Sequence, residues 1–168
     1  MNDLFKYYEG ELGDFIAEAL VTKAKLIKRV ISPVSSKLVS DLQAKGILID
    51  LSYNHTLDNN AIHHSLKRHG SVREALRGQI PITDEDLLRI PDIVDNYETL
   101  DIKQNRRNQD IIIYSRNIGQ GVTYYVEEIR FGRRELAAST MYKRKKDDSP
   151  TQIDWTTQIS DLSPFVQR

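Results

Sequence analysis

The chain reads as an α+β protein in which N-terminal helices pack on a C-terminal antiparallel β-meander, and three observations carry that expectation. Apolar residues recur at three- and four-residue intervals in several segments between residues 3 and 94. From Asp110 the period changes to two, with β-branched and aromatic residues alternating in Ile111–Tyr114, Val122–Phe131 and Leu136–Lys143. Turn-forming residues at Asn117–Gly121 and Gly132–Arg133 separate these runs.

The first helix is expected within residues 3–30, where Leu4, Tyr8, Leu12, Phe15, Ile16, Ala19 and Leu20 make one apolar stripe. Gly10 and Gly13 weaken that stripe, and Lys25–Ile31 fits a first strand equally well. Pro33 breaks whatever precedes it, and Ser32 is placed to cap a second helix carrying Val34, Leu38, Val39 and Leu42 and ending at Gly46. Ile47–Leu51 reads as a short buried strand and Asn54–Asn60 as a polar turn. Asp58 or Asn59 then caps a helix that stops at Gly70, with Ala61, Ile62, Ser65 and Leu66 facing the core.

Val72–Leu76 adds a turn of helix before a break at Gly78–Pro81. Thr83-Asp84-Glu85-Asp86 has the form of a capping box, opening a helix through Leu87, Leu88, Ile90 and Val94 that Pro91 interrupts. Residues 96–109 lack periodicity and read as a polar, mobile connection. Beyond the meander, the rest of the basic run from Arg144 and then Asp147, Asp148, Ser149 and Pro150 read as a turn or frayed end, and Trp155, Ile159, Leu162 and Phe165 are expected to dock a last segment onto the body. Residues 1–34 are expected as a helical extension or linker, and residues 35–168 as the principal domain.

Composition narrows the chemistry. With 24 basic and 24 acidic residues the net charge is zero, so no global field draws the chain onto nucleic acid, although local basic clusters occur at Lys23–Arg29, Lys67–Arg77, Arg130–Arg134 and Lys143–Lys146. The absence of cysteine excludes disulfides, thiolate zinc ligation and a thiol nucleophile. No apolar run approaches the roughly 20 residues of a membrane span, and Asp3, Glu9, Glu11 and Asp14 stand where a secretory signal would be apolar.

Three of the four histidines and two fixed cations fall in the run His63-His64-Ser65-Leu66-Lys67-Arg68-His69-Gly70. Imidazoles exchange protons near neutral pH, and Lys67 and Arg68 can hold a phosphate or its transition state. The same pattern would also arise on a solvated helix end whose cations complement the C-terminal dipole. His64 and Arg68 share a helix face, whereas His69 lies about 140° around the helix from His64. A zinc site at His63, His64 and His69 is disfavoured because adjacent histidines point apart. In the meander, a two-residue loop at Gly132–Arg133 would place Glu127 opposite Ala138, Tyr125 opposite Thr140 and Thr123 opposite Tyr142. Glu127, Thr140 and Tyr142 then share one face, where a hydroxyl and a phenol can donate to phosphate oxygens.

The ordered set of a helix bearing His64, Lys67, Arg68, His69 and Gly70, then Ile82-Thr83-Asp84-Glu85-Asp86-Leu87, then Ile90-Pro91-Asp92-Ile93, then a meander ending Ser139-Thr140-Met141-Tyr142-Lys143, covers roughly residues 35–145. It resembles the phage branch of the barnase, EndoU, colicin and RelE-like ribonuclease superfamily. The resemblance implies a metal-independent, cofactor-free endoribonuclease toxin. Its histidine motif falls on His64 and His69, with Lys67 and Arg68 inside it, and its terminal strand motif on Thr140 and Tyr142; His55 and Asp58 also suit the pattern.

The expected reaction is attack of the ribose 2′-hydroxyl on phosphorus, giving a 2′,3′-cyclic phosphate and a 5′-hydroxyl end. His64 and His69 would move the protons, Lys67 or Arg68 would stabilise the phosphorane, and Thr140 and Tyr142 would position phosphate oxygens. Glu127 would orient a histidine or serve as the base. The implied partners are RNA, with tRNA among the candidates, an immunity protein or antitoxin, and a parent phage head morphogenesis protein. The implied place of action is the cytoplasm of a bacterial target cell, reached by phage or by secretion. Two other readings fit parts of the chain. One is an ADP-ribosyltransferase-like toxin, suggested by Ser139-Thr140 but lacking a glutamate after Glu135; the other is a non-catalytic phage structural or binding module.

Overall fold

The computed structural model describes residues 6–7, 10–71, 73–76, 78–119 and 121–146. In chain order its elements are β1 (Lys6–Tyr7), α1 (Leu12–Val21), β2 (Ile27–Pro33), α2 (Ser36–Ala44), β3 (Asn54–Asp58), α3 (Asn59–His69) and α4 (Arg73–Leu76). There follow β4 (Gln79–Ile80), α5 (Asp84–Leu87), α6 (Ile90–Asn96), β5 (Thr99–Gln104), β6 (Asp110–Ile118), β7 (Gly121–Arg130) and β8 (Glu135–Lys145). The strands form one mixed sheet in the order β1-β2-β3-β8-β7-β6-β5, with β4 pairing on β8. The architecture is α+β, and the expected meander is its antiparallel half, β5 to β8.

The other half of the sheet adds strands beyond the expected meander. Helix α1 is shorter than the stripe over 3–30 suggested, and Lys25–Ile31 falls largely in strand β2. Asn54–Asn60 is not a polar turn: Asn54–Asp58 is β3, antiparallel to β2 and parallel to β8. Its buried histidine has a distant partner, His55 Nδ1 meeting Glu127 Oε2 at 2.7 Å. Residues 99–104, expected as a mobile connection, form the outer strand β5; its half-exposed side chains lack the alternation that marks a strand with one buried face. Gln79–Ile80, read as a break, pairs with Arg144 and Lys143.

Ile47–Leu51 makes no ladder. Ile47 and Ile49 are buried while Leu48 and Leu51 are exposed, so the segment is laid along the core without a strand partner. The α2 cap is Ser35, whose Oγ accepts from Leu38 N at 3.1 Å, and Ser32 sits instead within β2 opposite His55. The capping box at Thr83–Asp86 is present, but α5 ends at Leu87, and α6 restarts with Pro91 in its first turn, where a missing N–H is harmless.

Phe15, Ile16 and Ala19 of α1 and Ile27 of β2 are buried in the same apolar core as Leu38, Leu42, Ile62, Leu87, Ile90, Tyr114, Tyr125, Leu136 and Met141. Residues 12–33, expected within an extension or linker, are therefore part of the common body. Alternation along β6 divides the sheet between two faces. Ile112 and Tyr114 join the main core, and Ile111 and Ile113 join a smaller cluster with Tyr124, Val126 and Tyr142. The expected docking of Trp155, Ile159, Leu162 and Phe165 lies outside the described residues. Among the described residues no helix is long and apolar enough to cross a membrane.

Candidate active site

Helix α3 begins directly after β3 and starts on a side-chain cap, Asp58 Oδ1 accepting from Ala61 N at 2.8 Å. Ala61, Ile62, Ser65 and His69 are buried, which leaves His64 and Arg68 half-buried and Lys67 exposed on the other faces. The helix ends at Gly70, its C-cap, where a larger residue would be crowded. A Cβ at that position would lie 2.4 Å from the Leu66 carbonyl oxygen and 3.0 Å from that of Ile82. The next segment is tied down by Ile82 N donating to His69 O at 2.7 Å. Gly70→Ala should therefore destabilise the fold by about 1–3 kcal/mol in urea unfolding, by forcing the Ile82 strap off the helix end.

The decisive feature of the sheet is a β-bulge. Near the β7–β8 turn the register is the one expected from sequence, with Glu127 opposite Ala138 and Glu128 opposite Ala137. The ladder then skips Ser139, and beyond it Val126 opposes Thr140, Tyr125 opposes Met141 and Tyr124 opposes Tyr142. The expected pairs Tyr125–Thr140 and Thr123–Tyr142 are thus displaced by one residue, which carries Thr140 and Tyr142 to the face opposite Glu127.

This transfer brings α3 and β8 together. Ser65 Oγ lies 3.5 Å from Thr140 Oγ1, and the His69 and Tyr142 rings are 5.5 Å apart between centroids. Tyr142 stacks on Tyr124 at 5.0 Å. The four motif residues converge only in part on solvent, however. His69, Thr140 and Tyr142 are at most 1% exposed, so in this conformation they seat the helix on the strand. His69 Nδ1 lies 3.5 Å from Glu74 Oε2, and burial pushes the Tyr142 phenol far above its ordinary pKa.

Glu127 is fully buried on the opposite face. Its carboxylate accepts from Tyr114 at 2.5 Å and from Tyr125 at 3.1 Å, and it holds His55 Nδ1 at 2.7 Å. It does orient a histidine, but that histidine is His55, and both are 0% exposed.

His64 takes a different position. It borders an open recess of about 310 Å³ together with Asp58, Asn60, Ala61, Glu128, Arg130, Ala138 and Ser139. Glu128 and Arg130 stand at alternate positions of β7 and so share a face, their charged groups 3.8 Å apart. Arg130 is further anchored by Glu135 at 3.2 Å, and Glu135 by the buried Lys28 at 2.7 Å. Burial raises the pKa of the Asp58 carboxyl at the recess wall, opposed by the Ala61 N–H and the Arg130 and Lys28 charges. Neither Lys67 nor Arg68 lines the recess. Among the described residues no three His, Asp or Glu side chains are grouped as a metal site.

A histidine, a carboxylate, an arginine and a hydroxyl around one opening form a set suited to acid–base work on an anionic substrate. The family described as phage-Barnase-EndoU-ColicinE5/D-RelE like nuclease matches residues 36–149, which takes in α3, the bulged strand and the whole recess. The chain belongs to this nuclease family. No curated protein and no solved structure matched it. Within this phage-type nuclease, Glu128, Arg130 and Ser139 line the recess beside His64 and are not among the residues expected to act there. Ser139 is the residue the ladder skips, and Glu128 adjoins Glu127.

Proposed function

We propose that this nuclease is a metal-independent endoribonuclease whose chemistry takes place in the recess around His64. The observation that carries the reading is the meeting of His64, Glu128, Arg130 and Ser139 around one solvent-open cavity. Glu128 takes the proton from a ribose 2′-hydroxyl. The freed oxygen attacks the adjacent phosphorus, and the bond to the 5′-oxygen breaks as His64 donates a proton to that oxygen. The products are a 2′,3′-cyclic phosphate and a 5′-hydroxyl. Arg130, braced by Glu135, stabilises the charge gathering on the phosphorane, and Ser139 donates to a non-bridging oxygen. His69, Thr140 and Tyr142 hold α3 against β8 and so fix the angle at which His64 enters.

In this reading RNA is cut and DNA spared, since the nucleophile is the 2′-hydroxyl. A role as a toxin in the cytoplasm of a bacterial target cell, restrained by an immunity protein or antitoxin and carried on a phage head protein, follows from the family likeness and belongs to the same proposal. The test is incubation with total RNA in chelator, followed by end mapping. Cyclic phosphate termini are expected. Intact RNA, or ends bearing 5′-phosphate, would overturn the reading.

A further inference from the structure

Beside the His64 recess lies a second one of about 340 Å³, lined by Arg107, Gln109, Glu128, Arg130, Gly132 and Arg133. Glu128 and Arg130 are common to both, so the two recesses adjoin at that pair. The second part brings three arginines around one carboxylate, and that carboxylate already faces Arg130 at 3.8 Å. In a chain of zero net charge this is a local concentration of guanidinium groups, the side chain best matched to phosphate oxygens.

The groups come from two turns at one end of the sheet, where Ile111 of β6 pairs with Glu128 of β7. The β5–β6 turn is organised by Asn105, which is 6% exposed. Its Oδ1 accepts from Arg107 N at 2.9 Å and from Gln109 N at 3.1 Å, and its Nδ2 donates to Gln109 Oε1 at 3.0 Å. Asn108 adopts φ +59°, closing the turn with its N–H on Asn105 O at 3.0 Å. Arg107 and Gln109 are thus held at the groove before any ligand arrives, which lowers the ordering cost of binding. On the other side, the Phe131–Arg133 turn is closed by Arg134 in the left-handed conformation, φ +52°. Nothing lies within 4 Å of where a Gly132 Cβ would stand, so that position of the lining is uncrowded.

We propose that the Arg107–Arg133 recess is a second phosphate subsite, holding the backbone of a single strand beside the phosphodiester in the His64 recess. The inference rests on the function proposed above for the first recess, and it makes the preferred substrate an extended single strand. Such contacts read the sugar–phosphate backbone and carry no base preference.

The test uses the full chain and a labelled single-stranded oligodeoxythymidylate of about eight nucleotides, which the proposed mechanism cannot cut. The parent should bind it with an affinity that falls steeply with salt. Arg107→Ala/Arg133→Ala, two exposed positions, should weaken binding on the order of tenfold or more and lower the slope of log affinity against log salt by about 0.7 for each phosphate no longer neutralised. A control that removes the same charge elsewhere, Lys45→Ala/Arg89→Ala, should bind as the parent does. On RNA of the same length, the double arginine variant should lose kcat/KM chiefly through KM.

Parent-like affinity and salt slope in the arginine variant, equal losses in the control, or no binding by the parent would each overturn the subsite. If the parent binds the oligonucleotide through these arginines yet cleaves no RNA, the subsite stands and the ribonuclease reading fails.

Discussion

His64→Ala should lower RNA cleavage by about 10²- to 10⁴-fold, the contribution of one positioned acid or base. The side chain borders the recess and is only half-buried, so the change in folding stability should stay within about 1 kcal/mol. Initial rates on a labelled RNA, read beside a urea melt, check both numbers. Glu128→Gln keeps the shape of the groove while removing the proposed base, and it should fall to a similar rate. His69→Ala provides the contrast. Its ring is 1% exposed against Tyr142, so the substitution leaves a cavity under α3 and should lower stability and cleavage together. A folded His64→Ala protein cutting at the parent rate, with a well-folded His69→Ala protein inert, would move the chemistry from the open recess to the buried pair.

Glu127→Ala should be the most destabilising of the substitutions considered, by about 3–5 kcal/mol, because it strips three buried groups of their common partner. Tyr114, Tyr125 and His55 all point at this carboxylate, and both Glu127 and His55 are sealed from solvent. Burial and the neighbouring Glu127 charge hold both phenols well above the ordinary tyrosine pKa, so they stay protonated and keep donating. Glu127→Gln retains an acceptor oxygen and should be milder. Denaturant unfolding measures the difference. A stability change below about 1 kcal/mol, with cleavage lost, would assign Glu127 to the chemistry instead.

The elements that announced themselves in the sequence are those whose local pattern and tertiary environment agree. Alternation in Ile111–Tyr114 and Val122–Phe131 lies on a sheet with apolar clusters on both faces, and Asp58 caps the helix that Gly70 ends. The misread elements are those whose burial depends on distant partners. Strand β3 looks polar because His55 is matched by Glu127, 72 residues away, and Lys28 in β2 is buried against Glu135. Nothing local in Asn54–Asp58 reports either pairing.

The site shows the same division. His64 is singled out by the histidine run and the family motif it resembles, and it borders the recess. Glu128 and Arg130 lie on the turn side of the bulge, in the register expected; neither they nor Ser139 stands in a run of proton-carrying residues like that around His64. The expected face of Glu127, Thr140 and Tyr142 followed from unbroken alternation; one extra residue in β8 separates them. Lys67 and Arg68, chosen for charge, lie on helix faces that do not line the recess.

Strand β8 sits between β3 and β7 and is hydrogen-bonded to both. In the sheet path, the half containing β1 to β3 meets the half containing β5 to β7 only through it. A nascent chain that has emerged only as far as residue 130 already carries His64, Glu128 and Arg130, yet it has no Ser139 and lacks the strand that is hydrogen-bonded between β3 and β7. Assembly of the groove therefore waits on β8 and is governed by long-range pairing rather than by local helix formation. A ribosome that has not yet made β8 holds the ingredients of the cleft without the strand that seats α3 beside β7.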